Sequence, residues 1–193
     1  VKTVTCIDGG AMFVEGEENV KRLQAKRLIG MTQPAAQMYT NSRAWTYDLE
    51  ELGFRYHLAN LHAAIGVSQI KKINDIRVSR QHVCQRYHHE LSGIPWMLAP
   101  KGDFETVNPF LYYVRVLDGR RADLREYMRS QGIDTGIHWQ AGHSFSYLQH
   151  CRRGSLEVTE FIVGQILSLP LHSKMSQTDI SRVVSAVTNY KSA

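Results

Sequence analysis

The chain has 193 residues, 43% of them hydrophobic and 21% charged, with 14 Gly and 5 Pro. That balance excludes disordered, collagen-like and low-complexity proteins and leaves one folded domain or two small ones, with enough chain to bury a core. A net charge of +5 would permit nucleic-acid binding, but the basic residues lie in scattered pairs, Lys71 and Lys72, Arg120 and Arg121, Arg152 and Arg153. They read as solvated surface, and no nucleic-acid partner is expected.

The longest apolar stretch, Phe161 to Leu171, is interrupted by Gln165, Ser168 and Pro170 and falls short of the ~20 residues a spanning helix needs. No membrane partner is expected. The opening VKTVTCIDGG has no secretory signal and no initiator Met, which suggests a mature, truncated or partial chain. Three cysteines, Cys6, Cys84 and Cys151, with no CxxC pair, argue against a disulfide framework and a four-ligand zinc site, and fit a reducing, cytoplasmic setting.

In chain order, Thr3 to Val14 read as two short strands around Asp8-Gly9-Gly10. Glu17 and Glu18 then open an amphipathic helix carrying Val20, Leu23 and Leu28 and ending at Gly30. Met31 to Asp48 read as a surface loop. The strongest helical signal runs from Asn60 to Leu91 through Leu61, Ala64, Ile65, Ile70, Ile73, Val83, Tyr87 and Leu91, as one long helix or two meeting at an angle. Gly93 and Pro95 stop it, and the composition changes there, so a domain boundary is placed near Ser92.

Beyond the boundary, FLYYVRVL reads as a buried strand, RADLREYMRSQG as a helix capped by Gly132, and IDTGIHW as another strand. LEVTEFIVGQIL reads as helix, SLPL as a short extended piece, and Ser176 with Asp179 as the capping pattern of a last helix through Val187. Alternating strands and helices predict an α/β layered fold.

Among residues that could carry chemistry, Lys2 stands before an apolar stretch and a turn; taken alone it is a surface lysine. His138 and His143 bracket HWQAGH after a predicted strand, where sheet enzymes place ligand contacts, and could bind metal, act as acid and base, or hydrogen-bond a polar substrate. No carboxylate lies near them in sequence, so no metal site is expected. Cys84 and His88, one helical turn apart, read as ordinary helix surface. Arg55, Tyr56, His57 and His62 gather at the start of a helix, as a phosphate site or simply as caps.

VKTVTCIDGGAMFV, LGFRYHLANLHAAIGVSQIKKI, GIDTGIHWQAGH and ILSLPLHSKMSQTDISRVVSAV together resemble, in order and spacing, the DegT/DnrJ/EryC1/StrS family of pyridoxal-phosphate-dependent sugar aminotransferases. The resemblance matches the later half of a family member. It implies a fold-type-I transferase in which residues 1–92 finish the large cofactor-binding domain and its long linking helix, and residues 93–193 form the small C-terminal α/β domain.

The resemblance makes Lys2 the catalytic, Schiff-base lysine, the cofactor pyridoxal 5'-phosphate, and the substrates a nucleotide sugar and an amino-acid donor, on a homodimer. Arg55 lies where many members have Asn in a segment that reaches the cofactor phosphate of the neighbouring subunit; it could serve that phosphate or the substrate's nucleotide phosphates. Tyr56, His138 and His143 are implied substrate contacts, with SFSY after His143 departing from the family's usual run. The carboxylate and stacking aromatic that grip the pyridine ring would lie upstream of Val1, so the chain alone is expected to be catalytically incomplete. Two alternatives stay open: a folded, non-catalytic module that only oligomerises, and a sugar dehydratase of the same family, which Lys2 disfavours because those relatives carry histidine there.

Overall fold

The computed structural model describes residues 2–31 and 48–191. The chain folds as two compact units, one of Thr3–Lys71 and one of Lys72–Ala193, and Lys2 packs with the second.

In the first unit, residues 3–14 form bends and irregular backbone rather than the expected pair of strands. Local side-chain bonds compete with strand pairing there: Thr5 Oγ1 accepts from the Ile7 N–H at 3.1 Å, and Cys6 Sγ–H donates to the Asp8 carbonyl at 3.1 Å. Helix α1 (Glu17–Lys26) has its acidic residues in the first turn and Lys26 in the last, matching the helix dipole at both ends. Glu51 accepts from Arg22 at 3.1 Å and pairs with Lys26 at 3.3 Å. Against the raising effect of desolvation, these bonds from Lys26 and Arg22 hold the Glu51 carboxyl below its usual range. Gly53 passes so close to the backbone of Ile29 and Gly30 that a Cβ there would overlap them, and this lets Phe54 N–H bond to the Lys26 carbonyl at 2.6 Å. Helix α2 (Asn60–Ile70) closes the unit. The sequence-read loop from Met31 to Asp48 lies, at 32–47, outside the described residues.

The second unit begins with α3 (Ile73–Leu91), so the long helical signal resolves into two helices interrupted at Lys71 and Lys72. It continues through β1 (Met97–Leu98), β2 (Tyr112–Val116), α4 (Arg121–Ser130), α5 (Glu157–Val163), β3 (Ile166–Leu169) and α6 (Gln177–Asn189). The three strands form one antiparallel sheet in the order β1-β2-β3, with Tyr112 opposite Leu169 and Met97 opposite Val116.

β2 shows the period of two expected of a strand with one buried face: Tyr112, Val114 and Val116 are buried, whereas Tyr113 is exposed and Arg115 half-buried. That face meets Val83, Cys84, Tyr87 and Leu91 of α3, Leu124 and Met128 of α4, and Ile180, Val183 and Val187 of α6 in one core. Cys84 is therefore not helix surface: it is fully buried, and desolvation pushes its thiol up to about 12. His88, its expected companion, is half-buried beside Phe104.

Two elements of this unit differ from the sequence reading. The apolar run LEVTEFIVGQIL is helix only to Val163, and Ile166-Leu167 belong to β3, because a short apolar run fits a buried strand as well as a helix and pairing with β2 decides it. IDTGIHW forms no strand; Gly136 alone pairs with Ser168. The capping box forms as read: Ser176 Oγ accepts from the Asp179 N–H at 3.1 Å and Asp179 accepts from the Ser176 N–H at 2.8 Å.

Replacing the fully buried Leu124 with Ala should cost about 3 kcal/mol of the second unit's stability, measured by urea unfolding. The hydrogen bonds from Ser176 hold the Asp179 carboxyl below its usual range, so this cap contributes fully above the ordinary aspartate range and is lost as pH falls through the depressed value. An acid titration of Asp179→Asn should lack that component. With a thiol reagent at pH 8, Cys151, which is exposed, should react well before Cys84, which should wait for unfolding.

Candidate active site

The second unit builds its cluster of reactive groups around the Gly136 rung. Gly136 N–H donates to Ser168 O at 3.0 Å and Ser168 N–H donates back at 2.8 Å, tying the chain after α4 to the outer edge of β3. The His138 ring folds over Gly136 so tightly that any Cβ at 136 would overlap it. His138 Nδ1 is thereby buried against Gly136 without a hydrogen-bond partner among the described residues.

Trp139 follows, 61% exposed, edge-on to His138 at 5.3 Å between ring centroids and nearly parallel to Phe110 at 6.5 Å and 15°. Lys2, exposed along the chain, has its Nζ 4.4 Å from the centroid of Phe110 and 5.9 Å from that of Trp139, within cation–π range of both. Among the described residues its amine makes no ion pair. Two of the sequence candidates, Lys2 and His138, thus meet through the aromatic pair between them.

His143 is the middle residue of the short turn Gly142–Ser144. Its Nε2 stands 3.3 Å from a carboxylate oxygen of Glu160 on α5. A carboxylate does reach this imidazole in space, though none adjoins it in sequence. No group of three metal-capable side chains occurs among the described residues.

Arg55 and Tyr56 belong to the first unit. Their segment is pinned to the end of α1 by Tyr56 N–H to Arg27 O at 2.8 Å and Ile29 N–H to Phe54 O at 3.0 Å, with Arg55 opposite Leu28. Both side chains are exposed, and Tyr56 stacks on Phe54 at 5.1 Å and 7°. The guanidinium makes no ion pair among the described residues, which suits a residue kept for an anionic ligand. A hollow of about 440 Å³ beside α1, lined by Glu18, Arg22 and Glu51 among others, contains none of these candidates.

Sequence reasoning missed Phe110, Trp139, Arg80 and Glu160. Arg80 could have been found: it sits one turn before Cys84 on the stripe that continues through Tyr87 and Leu91, so helical period alone places a guanidinium on the buried face. Phe110 and Trp139 read from sequence as the end residues of two strands, FLYYVRVL and IDTGIHW, whereas each lies in irregular backbone.

Comparison with known proteins gives the arrangement a context. The chain is 25% identical over 194 aligned residues to the uncharacterized protein MJ1066 of Methanocaldococcus jannaschii, covering 96% of this chain and 50% of that one. The crystal structure of AtS13 from Actinomadura melliaura superposes with a TM-score of 0.83 at 25% identity, covering 98% of this chain and 49% of that one. The sugar aminotransferase CalS13 from Micromonospora echinospora superposes with a TM-score of 0.75 at 20% identity, covering 91% and 46%, a likeness of fold. The chain spans about half the length of these relatives. Residues 1–188 match the DegT/DnrJ/EryC1/StrS aminotransferase family, whose enzymes depend on pyridoxal phosphate; the chain belongs to that family.

Proposed function

We propose that this chain is the C-terminal portion of an aminotransferase that moves an amino group from an amino-acid donor to a nucleotide-linked keto-sugar, with Lys2 as the residue that holds pyridoxal phosphate. The observation that carries this reading is the placement of Lys2 Nζ, free of ion pairs among the described residues, against Phe110 and Trp139, the second of which lies edge-on to His138. An amine with no carboxylate partner is free to meet a carbonyl cofactor. The residues present fit the cofactor in this respect.

Lys2 would hold the cofactor through Nζ, and Arg55 would meet the cofactor phosphate of the neighbouring subunit, or the nucleotide phosphates of the substrate, with a two-pronged donor. The cofactor supplies an electron sink for the donor's α-carbon. Lys2 Nζ would take the proton from that α-carbon as general base and deliver it as general acid to the cofactor carbon that bore the aldehyde, the two directions being exchanged in the second half of the cycle. His138 and His143, the second oriented by Glu160, would each offer a ring nitrogen to the hydroxyls or diphosphate of the sugar nucleotide, with Tyr56 a further substrate contact.

In this reading residues 1–92 close the large cofactor domain and its linking helix, residues 93–193 form the small domain of a fold-type-I transferase, and the enzyme works as a cytoplasmic homodimer. Three free thiols suit that reducing compartment. The large domain would supply the remaining grip on the ring, so the chain alone would be catalytically incomplete.

Lys2→Ala in the full-length enzyme should abolish transamination, measured as amino-sugar formation; sustained turnover would reject the assignment. His143→Ala should raise KM for the sugar nucleotide about tenfold, as expected for losing one hydrogen bond to a charged group, while leaving reaction with the amino donor alone nearly unchanged.

A further inference from the structure

Arg80 and Gln81 stand in the middle of α3, each only 7% exposed, on a helix whose other buried side chains there are Val83, Cys84, Tyr87 and Leu91. A buried guanidinium is tolerated when its donors are used, and here they are used on backbone: Nε donates to Pro109 O at 2.7 Å and Nη2 to Phe110 O at 2.6 Å. Gln81 Nε2 donates to Glu105 O and Val107 O, both at 2.7 Å. All four acceptors fall within the segment from Glu105 to Phe110 that leads into β2. Two neighbouring carbonyls answered by one rigid, planar fork fix the orientation of the peptide between them, which a single flexible ammonium would not do.

That peptide carries Phe110. With its carbonyl clamped, the ring is held nearly parallel to Trp139 and 4.4 Å from Lys2 Nζ. We propose that Arg80 is a positioning residue of the amine site: through the carbonyls of Pro109 and Phe110 it sets the aromatic face against which the Lys2 amine lies, while Gln81 pins the start of the same segment. The inference deepens the proposed function, since it rests on Lys2 being the reacting amine. The surroundings of Lys2 can nevertheless be read without any turnover.

The test is ¹³C-dimethylation of the chain's lysines, with the Lys2 signal assigned by Lys2→Arg. A methylated amine over a ring feels its ring current, so the Lys2 methyl resonance should lie upfield of the other lysine signals and lose that displacement in Phe110→Leu. In Arg80→Met, with Phe110 still present and circular dichroism unchanged, most of the displacement should disappear. Should Arg80→Met fail to fold, Arg80→Lys decides: one ammonium cannot hold both carbonyls in plane, and at least half of the displacement should be lost. A Lys2 signal unmoved in a folded Arg80 variant, or one with no upfield displacement in the parent chain, overturns the proposal.

A second arm uses the full-length enzyme. Arg80→Lys should lower kcat about tenfold with KM for the donor changed less than about twofold, the pattern of a group misplaced for the chemical step rather than for binding. Equal losses that merely track a lowered melting temperature would overturn it. If Lys2→Ala keeps turnover, the functional reading fails while the ring-current arm still decides the positioning of Lys2.

Discussion

The burial of one face of α3 against a three-stranded antiparallel sheet is the constraint on which the second unit depends. Val83, Cys84, Tyr87 and Leu91 sit at three- and four-residue spacings, and every one of them is at most 2% exposed. Their removal from water supplies the non-directional part of the stability, on the order of 25 cal/mol per Å² of apolar surface. Direction comes from the polar atoms the same helix carries inward. Tyr87 Oη donates to Pro170 O at 3.0 Å just after β3, and Arg80 and Gln81 hold the chain before β2. The helix therefore fixes the entry to one strand and the exit from its neighbour, and the segments that carry Phe110 and, by the Gly136 rung, His138 are placed relative to one rigid frame.

The candidate site follows from that frame. A cation–π contact is weak in water and stronger where the ring is fixed and partly desolvated. Phe110 gains its fixed orientation from a helix side chain, and Trp139 lies nearly parallel to it. On the other side of His138, the pairing of His143 with Glu160 joins the turn after Ala141 to α5. Chemistry-bearing side chains thus sit on irregular backbone while strands and helices hold that backbone in place, the usual division of labour between loops and scaffold.

Much of this was legible in the sequence. Helical period located α1, α3, α4 and α6, and the Ser176 and Asp179 pair marked the start of α6 because a capping box needs two side chains at a fixed separation. The antiparallel pairing was not legible: alternating strands and helices suggested a layered α/β arrangement, whereas long-range register decides which apolar run becomes β3. The strands expected around Asp8-Gly9-Gly10 failed for the opposite reason, since Thr5 and Cys6 satisfy backbone groups locally. For the site, four ordered motifs pointed to Lys2, Arg55, Tyr56, His138 and His143, but sequence order holds no information on which rings a lysine meets. Phe110 and Trp139 lie far apart in sequence and become neighbours only through the fold.

The Gly136 rung has a further consequence. A strand held by many rungs resists slippage because each rung would have to break, but Gly136 and Ser168 form an isolated bridge of two hydrogen bonds. His138 lies two residues beyond that single anchor, on irregular backbone, with its ring folded back over Gly136. Lengthening the chain by one residue between Gly136 and His138 would leave both hydrogen bonds of the rung in place and still carry the imidazole away from Gly136. Within this small unit, the fold and the placement of His138 can therefore vary independently, with one glycine as the point where the two are joined.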